Sequence, residues 1–461
     1  MGRRRSSPQG GQQEGQQNGE AAAGPDDTRQ RLLDAAGPLV AQYGFDGPSV
    51  RDITTAAGVR LAAVSDIFGG IEGLLRAVVE RHAPLLATER RRRLQAARAA
   101  GPLSLEAVTA AFAAPLLTFM TEDAAWRDHA RIAAQLIAST RWDARLGPLL
   151  EAEAPDFLDA IREAEPRLDP ADAAWCLTFA MGVLAAATSG TGWLKQLSDG
   201  EVSDDDPGAL RDDLCAYLPA AMRGVAEAIE SGRRDGPPIP KLPAAGTRDR
   251  ILDAAERLFA AHGFHGVSMR TIARGAGISS GLCHYHFKTK DGVFLAMCLR
   301  RHPAFNEERW QLLEEARSMP PGRARLATVV ESHLGSGARR LQRGGRGWRN
   351  HIRAMATAIT SHGDYWLQTL RVVADDIAHA LVTETADAIP GLPMRQAYLS
   401  HLFANGLMAA AYSGGARLQR LSGGLAKGSD YRAMHDRLLR FQVGGILGMA
   451  AAADRPAPAQ D

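Results

Sequence analysis

One segment of this chain occurs twice. Thr28-Arg29-Gln30-Arg31-Leu32-Leu33-Asp34-Ala35-Ala36 returns 219 positions later as Thr247-Arg248-Asp249-Arg250-Ile251-Leu252-Asp253-Ala254-Ala255. The register then holds without a gap. Gly44, Phe45, Gly47, Ser49, Arg51, Ile53, Gly58 and Phe68 fall on Gly263, Phe264, Gly266, Ser268, Arg270, Ile272, Gly277 and Phe287. Chance does not sustain such an ungapped match, and similarity at a fixed period marks a repeated structural unit. Farther on, the spacing drifts by a few residues, as loop insertions would cause. Trp126-Arg127 pairs with Trp348-Arg349, and Leu197-Ser198-Asp199-Gly200 with Leu421-Ser422-Gly423-Gly424. The duplication therefore covers whole units, and 461 residues exceed what one hydrophobic core carries.

Each copy reads as helix. The chain is rich in Ala, Leu and Arg with only 6% aromatics, a balance that favours helix over strand. Ile251, Leu252, Ala255, Leu258 and Phe259 recur on one face of a helix that Gly263 ends. Ser268 is placed to cap the next helix, with Met269, Ile272 and Ala273 on one face and Gly277 as the turn. A short helix from about Ser279 to His286 follows, then a longer one opening near Asp291. Two short helices joined at a glycine, flanked by longer ones, make a helix-turn-helix. The rest of each unit is a series of amphipathic helices divided at Gly and Pro, as at Gly101-Pro102, Gly147-Pro148, Pro166, Pro170 and Pro207-Gly208. No alternating strand pattern competes, so the expected fold class is all-α.

Several classes are excluded on composition. Cys176, Cys215, Cys283 and Cys298 form no CxxC pair and no disulfide framework, which favours a reducing compartment. Arg, Asp or Gly interrupts each apolar run short of the roughly 20 residues that span a bilayer. Met1-Gly2-Arg3-Arg4-Arg5 lacks the apolar stretch of a signal peptide. A cytoplasmic protein without membrane contact is expected. There is no GxxxxGK[ST] loop, no GxSxG elbow and no strand to present either, so neither catalysis nor a cofactor is expected.

At Ser268-Met269-Arg270-Thr271-Ile272-Ala273, Gly277-Ile278-Ser279-Ser280-Gly281 and His284-Tyr285-His286-Phe287-Lys288-Thr289-Lys290 the chain resembles the DNA-binding domain of the TetR-type repressors. The resemblance covers roughly 50 residues per unit and is stronger in the second copy. It implies two tandem units, each a three-helix helix-turn-helix domain followed by a helical ligand and dimerisation domain. The boundaries expected are a disordered tail at 1–26, a degenerate helix-turn-helix domain at 27–82 and a helical domain at 83–231. A Pro/Gly linker at 232–246 precedes the DNA-binding domain at 247–302, the second helical domain at 303–453 and a tail at 454–461.

The resemblance also implies roles. Ser268 and Thr271 would meet phosphate, and Ser279, Ser280, Gly281, Leu282 and His284 would face the major groove. Tyr285 would give its hydroxyl to a phosphate, and Lys290 would approach the backbone from the next helix. Physical chemistry agrees: short hydroxyl residues and a glycine let a helix sit deep in the groove, while Tyr and Lys anchor the backbone. Phe287 reads as a core plug. The partners implied are double-stranded DNA and an unidentified small-molecule effector.

The first copy departs at the contact surface. Ser279-Ser280-Gly281 becomes Arg60-Leu61-Ala62, Tyr285 becomes Asp66, Lys288 becomes Gly69 and Lys290 becomes Ile71. Residues 247–301 carry nine basic against four acidic side chains, a balance of +5, whereas residues 28–82 carry six of each. Because phosphate neutralisation supplies most non-specific affinity, the second copy is the better DNA head; the first reads as a structural relic or dimer scaffold, with a head of altered preference led by Arg60 as the alternative.

Other features take structural readings. Arg90-Arg91-Arg92-Arg93 points all round a helix and reads as a solvated face. Arg3-Arg4-Arg5 reads as an unstructured basic tail. Cys283 is expected to face the supporting helix, and His262, His265, His284, His286 and His302 to face DNA or solvent rather than a metal. Trp126, Trp142, Trp175, Trp193, Trp310, Trp348 and Trp366 are expected in the core, near an apolar ligand cavity.

The function expected is a ligand-responsive transcriptional regulator, acting as a repressor through its second helix-turn-helix. The rival is a ligand-binding or protein-interaction module with vestigial motifs in both copies, and the basic second motif argues against it. Helices at about 170–193, 207–230, 394–417 and 431–450 resemble in position the family's dimerising pair. Ala185-Ala186-Ala187 and Ala409-Ala410-Ala411 would let their axes approach closely. Four such helices could form an intramolecular pseudo-dimer, two chains of which would meet as a homodimer on an inverted repeat.

Overall fold

The computed structural model describes residues 25–204, 206–227, 238–239, 246–360, 363–413 and 415–454. The Arg3-Arg4-Arg5 tail, most of the expected linker and the end of the C-terminal tail lie outside them. Among the described residues every regular element is helical. The first head comprises α1 (Pro25–Tyr43), α2 (Val50–Ala57), α3 (Ala63–Phe68) and α4 (Ile71–Glu80). Its helical domain runs through α5 (Ala83–Ala100), α6 (Leu105–Glu122), α7 (Ala124–Ala138) and α8 (Thr140–Leu146). It continues through α9 (Ala154–Ala164), α10 (Pro170–Thr188), α11 (Trp193–Leu197) and α12 (Pro207–Ala226). The second unit repeats this order. Its head is α13 (Thr247–His262), α14 (Met269–Gly275), α15 (Ser280–His286) and the start of α16 (Lys290–Arg317). Then come α17 (Arg323–Val330), α18 (Ser336–Arg343), α19 (Gly345–Ile359) and α20 (Asp364–Val373). The chain closes with α21 (Asp375–Ala388), α22 (Met394–Tyr412), α23 (Ala416–Leu421) and α24 (Tyr431–Ala453).

The units meet through four helices: α12 packs along α24, and α10 along α22. Small residues set the distance. A Cβ on Gly182 of α10 would lie 2.5 Å from the carbonyl oxygen of Gly406 on α22, and one on Gly224 equally close to that of Arg440 on α24. The Tyr217 hydroxyl donates to Gln442 inside this bundle. Around it lie interunit ion pairs, with Arg437 bonded to Asp172 at 2.7 Å and Arg420 to Glu151 at 2.6 Å. The heads also approach one another, the rings of Tyr43 and His265 standing 5.5 Å apart edge to face.

Repeated sequence makes repeated bonds. Ser198 Oγ accepts from the Val202 amide at 2.9 Å, and Ser422 Oγ accepts from the Ala426 amide at 2.9 Å. That local bond closes the turn after α11 and after α23, which is why Leu-Ser recurs there.

Three expectations are corrected. Residues 173–188 of α10 are all buried, and the helix is long and apolar enough by composition to cross a membrane, with a mean hydropathy of 1.4. Its 89% burial inside the protein accounts for that composition, as Asp169 and Pro170 merely start it. Arg90 is not on a solvated face: because four consecutive residues surround a helix axis, one points inward, and Arg90 is buried against Glu153 at 2.6 Å. Trp310 is 38% exposed on α16 instead of in the core.

Candidate nucleic-acid interface and ligand cavity

The third helix of the second head, α15, is locally well built. Ser279 caps α15, its hydroxyl accepting from the Leu282 amide at 3.2 Å. Ser268 caps α14 by accepting from the Thr271 amide at 3.1 Å, and the two hydroxyls lie 2.9 Å apart. Gly277 joins the helices at φ +66, a conformation that a side chain disfavours. Cys283 and Phe287 turn inward and are buried, as their spacing predicts. Burial raises the Cys283 thiol above its ordinary pKa, which leaves it a weak nucleophile.

The opposite side of α15 is open. Ser279, Ser280, Gly281 and His284 are exposed, Leu282 is 39% exposed and Tyr285 is 83% exposed. A Cβ on Gly281 would meet nothing within 4 Å. Thr271 is half-buried beside Ser268. Lys290 is less free than its sequence position implies. Its Nζ donates to the Phe264 carbonyl at 2.9 Å and sits 4.2 Å from the centre of the Phe264 ring, and burial lowers its pKa.

The first head keeps the core and loses the surface. Ile53 and Val64 are buried, but α3 has Ala62 at its N-cap and no side-chain cap. Arg60 pairs with Asp66 at 2.9 Å on the exposed side, so its guanidinium already faces a carboxylate.

Each helical domain contains a cavity at the matching place. The one in the second unit is about 100 Å³, against about 40 Å³ in the first. Arg309 lines the larger and Arg90 the smaller, and they stand 219 positions apart in the register of the heads. This correspondence was present in the sequence, but an Arg in a helix gives no sign of pointing inward. Trp193 and Thr191 of the first unit complete the wall of the second unit's cavity, beside Trp366. His302 lies in this cavity as well, contrary to the surface position expected of it, because α16 turns that face into the domain. Burial drives the His302 pKa down to about 3, so the ring is neutral. No group of three or more metal-ligating side chains is found among the described residues.

Comparison with known proteins places these parts. Residues 32–78 and 251–297 both match the family described as bacterial regulatory proteins, tetR family. Residues 110–221 and 334–445 both match the tetracyclin repressor-like C-terminal domain. The HTH-type transcriptional regulator UidR of Escherichia coli is 41% identical over 54 residues, covering 12% of this chain and 28% of that protein. The HTH-type transcriptional repressor AcnR of Corynebacterium glutamicum is 39% identical over 51 residues, 11% of this chain and 27% of that protein. The chain thus spans under a third of the length of these curated relatives. The crystal structure of FadR from Bacillus subtilis in complex with stearoyl-CoA aligns with a TM-score of 0.30 at 18% identity. It covers 42% of this chain and 97% of that one, a likeness too slight to carry an argument. With both parts of the family unit matched twice and in order, the chain belongs to the TetR family of bacterial regulatory proteins, as a tandem duplication.

Proposed function

We propose that this protein is a ligand-responsive repressor that holds operator DNA through its second head. The contrast at one position carries the reading: Tyr285 projects freely from α15, whereas its counterpart Asp66 is a carboxylate paired with Arg60. Ser279, Ser280, Gly281, Leu282 and His284 then face the groove, while Ser268, Thr271 and Tyr285 take phosphates. Lys290 uses one of its three N–H donors on Phe264, which steadies it and leaves two for a phosphate.

The helices α10, α12, α22 and α24 support a pseudo-dimer within one chain, with the first unit as the permanent partner of the second. Such a chain has a single competent head, and one module seldom secures specific binding against genomic competitors. Two chains on an inverted repeat follow.

The effector acts through α16. This helix is unbroken from Lys290 to Arg317, so it joins the DNA-side lysine to Arg309 in the cavity over about 28 Å. In the first unit the corresponding path breaks between α4 and α5. A ligand that binds the two tilts of α16 with different affinity shifts the head, and only to that extent.

Selection of bound sequences from random duplex DNA by the purified chain tests the proposal. An inverted repeat bound with a steep salt dependence is expected. Failure to enrich any sequence, or binding insensitive to salt, would sink it.

A further inference from the structure

Arg90 and Arg309 are equivalent residues with different surroundings. Arg90 donates to Glu153 at 2.6 Å and to the Phe112 carbonyl at 2.8 Å. Toward their C-terminal ends the helical domains correspond at a spacing of 224, the last residues Ala164 and Ala388 of α9 and α21 matching and α10 falling on α22, and on that spacing the counterpart of Glu153 is Ile377. Glu153 lines the first cavity and Ile377 the second. The acid that neutralises the first arginine is thus replaced by an aliphatic side chain in the wall of the second arginine's cavity.

No other carboxylate of the described residues takes its place. Glu308, next to Arg309 in the chain, is bonded by Arg339 at 2.6 Å and by Arg340. Arg309 is 7% exposed, stacks 4.2 Å from the centre of the Phe305 ring, and its Nε has no hydrogen-bond partner. Burial pushes its pKa down to about 9, which still leaves it charged at neutral pH. Seven residues earlier, two turns along the same face, His302 Nδ1 is likewise buried without a partner. A buried cation without its anion is costly, and adding one counter-charge recovers that cost.

Size and charge define the ligand. The cavity is far larger than the roughly 10–15 Å³ that one water needs, and its remaining wall includes Met355, Leu370 and Met408. One guanidinium calls for one negative charge: a monoanion leaves the site neutral, whereas a dianion would bury a net charge. We propose that the second unit's cavity is a carboxylate site, in which Arg309 and His302 hold the acid group of a compact apolar ligand. The first unit's cavity carries its own carboxylate, Glu153, and takes no such ligand. This deepens the reading of that cavity as the effector site and rests on it.

Calorimetric titration of the full chain without DNA tests the assignment, using benzoate, hexanoate and decanoate, each against its primary amide. At least one acid is expected to bind once per chain, with a Kd at least tenfold below that of its amide. Ile377→Glu, which supplies the second arginine with the first unit's partner, is expected to abolish the preference. Arg309→Met, which leaves an apolar cavity, is expected to bind acid and amide alike. Circular dichroism reports whether each variant folds. Absence of acid binding, equal binding of acid and amide by the unaltered chain, or an undiminished preference in either folded variant overturns the assignment. Failure of the effector reading would look different: tight acid binding that leaves operator affinity unchanged.

Discussion

Asp66 and Tyr285 hold the same place in two copies of one motif, and the exchange replaces an exposed hydroxyl by a negative charge. Tyr285→Ala is expected to weaken operator binding by on the order of 1 kcal/mol without changing the salt slope, since a neutral hydrogen bond is lost. Lys290→Ala is expected to lower the slope by about 0.9, because one phosphate contact no longer displaces a counterion. Asp66→Ala should weaken neither. Fluorescence anisotropy across a salt series reads all three, and normal binding by both Tyr285→Ala and Lys290→Ala would move the DNA surface elsewhere. Buried histidines set a second expectation. Burial pushes His129, His302 and His401 down to about 3, below the ordinary value near 6.5. As pH falls the unfolded chain therefore takes up protons first. The stability tied to these rings is complete above about pH 6.5 and drains away toward pH 3, on the order of 1 kcal/mol per ring per pH unit. Melting temperature should fall steadily from pH 7 to pH 5, less steeply in His401→Leu. A flat profile would show that these rings ionise without unfolding the chain.

Two glycines in helices separate packing from recognition at the scale of the element. Gly182 in α10 faces the backbone of α22, where a Cβ would come within 2.5 Å of the Gly406 oxygen. Gly182→Val should cost about 1–3 kcal/mol in urea unfolding, because the helices must separate. Gly281 in α15 has open space at its Cβ. Gly281→Leu should leave stability equal or raise it by about 0.5–1 kcal/mol, since leucine is the better helix former, while weakening DNA binding. A leucine at 281 that leaves operator affinity intact would mean that α15 does not enter the groove.

For the whole molecule, the bundle of α10, α12, α22 and α24 joins the two units through surfaces of one chain. The free protein is expected to sediment as a single chain and the operator complex to contain two. One chain per operator, protecting two equivalent half-sites, would show that the first head reads DNA after all. The stoichiometry is thus the direct measure of how the duplication divided its labour.

The sequence by itself determined the repeat, the helical class and the cap at Ser268. Each follows from local spacing: a 3.6-residue period, a hydroxyl before a helix, a glycine after one. Tertiary structure alone decided which charges are available. Arg300 and Arg301, counted in the second head's balance of +5, are spent on Glu256 at 2.8 and 2.6 Å inside the domain. Lys290 is held by Phe264, and Arg90 lies in a core where the helix pattern had suggested solvent. Local spacing cannot reveal such partners, because they come from segments 26 to 63 residues away and meet only when the helices pack. For the same reason the sequence contained both Arg90 and Arg309, but only the packed units set Glu153 beside the one and Ile377 beside the cavity of the other.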